Sequence, residues 1–219
     1  NFAEAVKCLQ PLAGHPQLGD QATWWMGRAI ASGADPNNAQ AYAQALAQAC
    51  DHLRRAADLA NQQKEKDPQA KVRRGDILME LADTQVLARQ FKEASATLQQ
   101  VRQENNNPDR LEEALQRQIV ALQLSGMYKE SDALCGEFEK TYPKSTLLAS
   151  VLFRHAENAY LTAVAALNKN DFPRDQLPPL FTEAQNRYQR VLKQFPEYPH
   201  AGLARHALAR DSLHKRRAA

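Results

Sequence analysis

Proline, glycine and asparagine interrupt this chain at intervals of about 13 to 30 residues, and that rhythm limits it to short rods joined by short turns. The breaks are Gly14-His15-Pro16, Gly33-Ala34-Asp35-Pro36, Asp67-Pro68, Asn105-Asn106-Asn107-Pro108, Gly126, Tyr142-Pro143, Asp171-Phe172-Pro173 and Phe195-Pro196. A proline suits the first turn of a helix, where its missing N–H would have no partner anyway. Between the breaks the residues favour helix: 37 Ala and 21 Gln stand against 8 Gly, and Ala loses no side-chain entropy on becoming helical. β-Branched residues are scarce, which leaves little from which to build a sheet. The spacing predicts helices at roughly 2–13, 20–32, 37–66, 70–89, 91–105, 109–125, 127–141, 146–169, 178–195 and 199–214. Turns this short make neighbouring helices antiparallel hairpins, so the fold class is all-α.

The stretch 39–50 alternates Ala with other residues and imitates a strand, yet Ala and Gln are poor strand formers. As a helix it is coherent. Gln40, Gln44 and Gln48 share one wet stripe, Tyr42, Leu46, Ala49, Cys50 and Leu53 fall elsewhere, and Asn37 or Asn38 can cap the start. A helix longer than the others is expected here.

With 43% hydrophobic and 24% charged residues the 219-residue chain can bury a core. No apolar run approaches the ~18 residues of a membrane span. It opens on Asn1 rather than Met, so a piece of a longer protein is expected, one that begins inside the second helix of a pair. The net charge of +3 is unevenly placed: Arg205, Arg210, Lys215, Arg216 and Arg217 against Asp211 put +4 in the last fifteen residues and leave about −1 on 1–204. Such an end could meet nucleic acid or an anionic lipid surface, or it could simply complement a helix dipole. No aromatic residue interleaves with these cations as a base-stacking surface requires. Cys8, Cys50 and Cys135 are too scattered for a disulfide framework or a zinc site, and Cys8 and Cys135 read as small apolar fillers inside helices.

Four segments superimpose without gaps: Phe2-Ala5-Leu9-Leu12, Phe91-Ala94-Leu98-Val101, Tyr128-Ser131-Cys135-Phe138 and Phe181-Ala184-Tyr188-Val191. Each opens on an aromatic, places a small residue one turn later, and meets a proline 14 to 17 residues after the aromatic. A small residue is needed where a facing helix passes close. The pattern resembles the second helix of tetratricopeptide (TPR) repeats, units of ~34 residues. First-helix matches are Met26-Gly27, then Leu78, Leu81, Ala82 and Gln85, then Leu115, Ile119 and Leu122. Tyr142-Pro143-Lys144-Ser145 resembles a junction common in TPR proteins of bacterial envelopes, which implies a bacterial protein of the envelope, periplasm or cytoplasm. The aromatics are 89, 37 and 53 residues apart, so the array is irregular.

The resemblance implies a right-handed α-solenoid of stacked antiparallel hairpins. It forms a single domain over 1–219, with units near 2–16, 20–68, 70–108, 109–143 and 146–196 and a final helix at 199–214. Each hairpin completes its neighbour's core. On that register Phe91→Ala or Phe181→Ala should cost on the order of 3–5 kcal/mol.

No catalytic constellation is visible: there is no phosphate-binding glycine loop, H-E-x-x-H or G-x-S-x-G. Six His residues include no pair at i,i+3 or i,i+4, His155 reads as a packing group, and no metal or cofactor is expected. Carboxylates such as Asp76, Glu80, Asp83 and Glu112-Glu113 sit at spacings suited to solvated helix faces. Lys71, Arg73 and Arg74 crowd a helix start, where cations oppose the dipole; this is either a surface feature or a site for a partner's anion. An enzyme is not expected.

TPR arrays carry peptides on the concave surface formed by their first helices. The resemblance therefore implies partner-binding roles for Trp24, Arg73, Asp76, Met79, Asp83, Glu113, Gln116 and Gln123, with Trp24 and Met79 as apolar anchors. No Lys/Asn set matches the carboxylate clamp of chaperone-binding TPRs. The function implied is a non-enzymatic scaffold for a protein or peptide partner. The alternatives are an architectural segment that self-associates within a larger solenoid, and anionic contact through 205–217.

Overall fold

The interruptions become helix boundaries for identifiable local reasons. In the computed structural model, which describes residues 2–218 and the side chains of 2–210, Asn38 accepts a hydrogen bond from the Ala41 N–H and so caps the helix that follows. Asp67 does the same for Gln69, with Pro68 in the first turn beside it. At the other ends, Asn105 takes a left-handed conformation with φ 47°. Gly126, at φ 79°, makes a turn that a side chain would strain.

The described residues form ten α-helices: α1 (Phe2–Leu9), α2 (Gly19–Ser32), α3 (Ala39–Gln63), α4 (Pro68–Leu87), α5 (Phe91–Glu104), α6 (Leu111–Leu124), α7 (Tyr128–Thr141), α8 (Leu148–Leu167), α9 (Leu177–Gln194) and α10 (Ala201–Ala218). No strand occurs among the described residues. The predicted order is reproduced, and α3 is the longest at 25 residues. Contacts divide the chain into two compact units, one ending at Ala121 and the other beginning at Leu122.

In the first unit helices pack against their sequence neighbours, α1 on α2, α2 on α3, α3 on α4 and α4 on α5. The centre is α3, whose Ala49, Leu53, Ala56, Ala57 and Ala60 are all buried while Gln40, Gln44 and Gln48 stay in solvent. Across from it lie Ile77, Leu78, Leu81 and Ala82 of α4, followed by Ala94, Leu98 and Val101 of α5. Gly27 of α2 touches the ridge so closely that a Cβ there would sit 3.0 Å from Leu53 Cγ and 3.2 Å from the Ala49 carbonyl oxygen. Arg74 is buried between three helices: it donates to both Glu104 oxygens at 2.8 Å and to the Ala57 carbonyl at 2.6 Å.

In the second unit α7 packs on α8, α8 on α9 and α9 on α10, and α8 also touches α10. Its core is an interlocked set of rings: Phe153 against Tyr188 at 5.8 Å and Tyr160 against Phe181 at 6.3 Å, with Ala156, Ala163, Ala184 and Ala204 between.

The repeated stripe is buried unevenly. Its small residue is buried in three segments (Ala94, Ser131, Ala184), but of the leading aromatics only Phe181 is buried. The reason is position. Phe91 and Tyr128 are the first residues of their helices, at the edge of the layer, whereas α9 begins four residues before Phe181 and carries the ring inside. The Phe2 segment departs altogether. No residue of α1 is buried, Phe2 is 52% exposed and Cys8 is exposed, because among the described helices only α2 packs along α1. Cys8 is therefore no core filler, unlike Cys135. Of the basic end, Arg210 stacks on Tyr160 with its guanidinium carbon 4.0 Å from the ring centre. The side chains of Lys215, Arg216 and Arg217 lie outside the described residues.

Two measurements check this packing. Thermal melts should separate the two phenylalanines, with Phe181→Ala costing about 3–5 kcal/mol and the partly buried Phe91→Ala about 1–2 kcal/mol; equal losses would contradict the placement of α9. Hydrogen bonds from Arg74, opposed by burial and aided by Gln100, hold the Glu104 carboxyl below its ordinary range. Its stabilisation is then present above the unfolded pKa and lost as pH falls through the lowered folded one. Urea midpoints of Glu104→Gln between about pH 5 and pH 2 should fall less steeply than wild type. Parallel curves would exclude this pair from acid unfolding.

Candidate functional site

Residues spaced one turn apart on α2 and α4 meet across an open groove of about 590 Å³ within the first unit. Trp24 and Arg28 come from α2. Asp76, Glu80, Asp83 and Leu87 form a single stripe on α4, and Arg110 enters from the 3-10 turn before α6. Trp24 and Glu80 are partly buried, whereas Leu87 is 55% exposed at the far end.

Glu80 ties the two walls together. Trp24 Nε1 donates to its Oε2 at 2.7 Å and Arg28 Nε pairs with its Oε1 at 3.0 Å. The Arg28 guanidinium also lies over the Trp25 ring, 4.4 Å from its centre. Burial raises the Glu80 carboxyl above its ordinary pKa, although Trp24 and Arg28 both favour the ionised form. Asp83 is raised for the same leading reason, against the pull of Arg117. Along the opposite wall Arg117 bridges Asp83 and Glu113, Arg110 pairs with Glu113 at 2.7 Å and with Asp76 at 3.5 Å, and Asn107 donates to Asp76 at 3.0 Å.

Of the residues expected to meet a partner, Trp24, Asp76 and Asp83 line this groove and Glu113 stands at its edge through Arg110 and Arg117. Three others depart from the outward role. Met79 is 1% exposed and belongs to the core, forming the groove's floor, because it lies one residue off the exposed α4 stripe. Arg73 is held by buried Asp20 and by Asp67, so Arg73, like Arg74, is an internal tie and not a free anion site, while Lys71 stays exposed. Gln123 belongs to the second unit and is buried, donating to Asn158 at 2.9 Å and accepting from Arg154 at 3.0 Å. Gln116 is half-buried on α6 and does not line the groove.

Arg28, Leu87, Arg110 and Arg117 were not anticipated. The first two had a usable signal, since Arg28 follows Trp24 by one turn and Leu87 continues the Asp76-Glu80-Asp83 stripe.

The second unit carries a smaller polar cluster. Asp132 pairs with Arg187 at 2.7 Å and with His155 at 3.3 Å, and two cavities of about 250 and 280 Å³ adjoin Arg187. Burial works to raise Asp132, but hydrogen bonds from His155 and Arg187 prevail and hold it below the carboxylate range. Half-buried His155 is thus a packing group anchored by a carboxylate.

Among the described residues no group of three His, Cys, Asp or Glu could hold a metal ion, and no helix is long and apolar enough to cross a membrane. Compared with models of known protein families and with curated proteins, the chain matches none.

Trp24 donates directly to Glu80, so tryptophan emission should respond to ionisation of that carboxyl. A pH titration should show a change with its midpoint above the ordinary glutamate value, and Glu80→Gln should abolish it. A transition that persists in the variant would assign it to another group.

Proposed function

We propose that this chain is a non-enzymatic scaffold, a TPR-like array of helix hairpins that receives a protein or peptide segment in the groove of α2, α4 and the start of α6. The groove itself carries this reading. Alternate helices contribute its walls, α3 and α5 pack behind them, and an aromatic, an exposed leucine and several charged groups converge on one open surface. The close passage at Gly27 supports Met26-Gly27 as the tight pair of a first helix, and the buried Ala94, Ser131 and Ala184 support the matching positions in second helices.

A binding role agrees better than a catalytic one with the state of the polar groups. The groove carboxylates are engaged by arginine, tryptophan or asparagine, and the Thr84 hydroxyl donates to the Glu80 carbonyl of its own helix. No activated nucleophile is assembled there.

Selection from a displayed library of random twelve-residue peptides tests the proposal. Selected peptides should bind saturably and shift tryptophan emission, and Trp24→Ala with Leu87→Ser should weaken them at least tenfold while helicity is retained. Equal binding to wild type and variant would remove the groove from the function.

A further inference from the structure

The donors and acceptors of the groove are not balanced, and the imbalance defines what it accepts. Two guanidiniums, Arg28 and Arg110, line the groove with three carboxylates, Asp76, Glu80 and Asp83, and Arg117 and Glu113 add one of each at its edge. Every cation is ion-paired, although Arg110 Nε, 2.7 Å from Glu113, makes no aligned hydrogen bond. Arg28 is paired with Glu80 and stacked on Trp25, Arg110 is shared between Asp76 and Glu113, and Arg117 is shared between Asp83 and Glu113. The carboxylates are not all saturated. Asp76 accepts through Oδ1 alone, from Asn107 and Arg110, and Asp83 through Oδ2 alone, from Arg117. One oxygen of each is left without a donor among the described residues. An anionic ligand would have to displace an existing ion pair, whereas a cationic one meets acceptors already in place.

We infer that the groove's occupant is a basic peptide segment, with lysine or arginine at one end and a bulky apolar residue at the other; this rests on the scaffold reading above. Length supports the second half of the assignment. Asp76 and Leu87 are eleven residues apart on α4, about 16 Å at the helical rise, which an extended segment covers in about five residues. A cation on Asp76 and a second near Asp83 then leave the following apolar side chain over exposed Leu87, at the end opposite Asp76. The charges supply direction as well as attraction, since the reversed segment would set its apolar end against Asp76.

Fluorescence anisotropy with two labelled synthetic peptides decides the matter. One has two lysines three residues apart followed by leucine and phenylalanine, and the other has glutamates for the lysines. The lysine peptide should bind at least tenfold more tightly, and its affinity should fall with salt as the screening length shrinks from about 30 Å at 0.01 M to about 10 Å at 0.1 M. Asp76→Asn with Asp83→Asn should cost roughly tenfold, and Asp76→Lys with Asp83→Lys should turn the preference toward the glutamate peptide. If a variant fails to fold, as read by circular dichroism, the salt series and the peptide pair on the wild-type chain still decide. Equal binding of the two peptides, or groove-bound library peptides without enrichment in lysine or arginine, would overturn the charge assignment and leave the groove as a binding surface. If neither synthetic nor library peptides respond to Trp24→Ala with Leu87→Ser, both proposals fall together.

Discussion

The alanine ridge of α3 is the contact on which the rest of the first unit depends. Because Ala49, Ala56, Ala57 and Ala60 project so little, helices on either side can approach their backbone closely, and Gly27 does so to within the reach of a single Cβ. That approach brings α2 and α4 near enough for Trp24 and Arg28 to reach Glu80 and for Asp20 to reach Arg73. A larger side chain on the ridge would separate those pairs. The polar groove is thus a consequence of tight apolar packing beneath it.

The same closeness decides which charges are structural. Arg73 and Arg74 are adjacent in sequence and both are withdrawn into ion pairs, with Asp20 and Asp67 for one and Glu104 for the other. A buried pair of this kind adds little net stability over an apolar substitute, but leaving one member alone is costly, so it enforces one arrangement of helices. In the groove the pairs are more open and the carboxylates outnumber the arginines. Glu80, desolvated yet held by two donors, lies between these cases.

The second unit solves its packing with rings instead of alanine alone. Phe153, Tyr160, Phe181 and Tyr188 occupy α8 and α9 in pairs two turns apart, and small residues between them let the rings interlock. Asp132, His155 and Arg187 form a polar seam beside this core, which gives the helices a register that the non-directional apolar contacts would not specify.

Much of the fold was legible before any coordinates. The breaks placed ten helices within a few residues, the alanine and glutamine content excluded a sheet, and the Gln40-Gln44-Gln48 stripe marked the wet face of α3. Part of the candidate groove was legible too: the resemblance named Trp24, Asp76 and Asp83, and helical spacing put the two carboxylates on one face. The failures share a cause. Met79, Gln123 and Phe2 were assigned by position within a repeat, but burial depends on which other helix lies over a face and on how far a residue is from its helix end. Local sequence determines helices, their ends and their stripes, because those follow from bonds and contacts within about four residues. Which arginine is engaged, which carboxylate keeps a vacant oxygen, and that a groove exists at all are matters of distances between residues as far apart as Trp24 and Glu80. Only tertiary packing sets those.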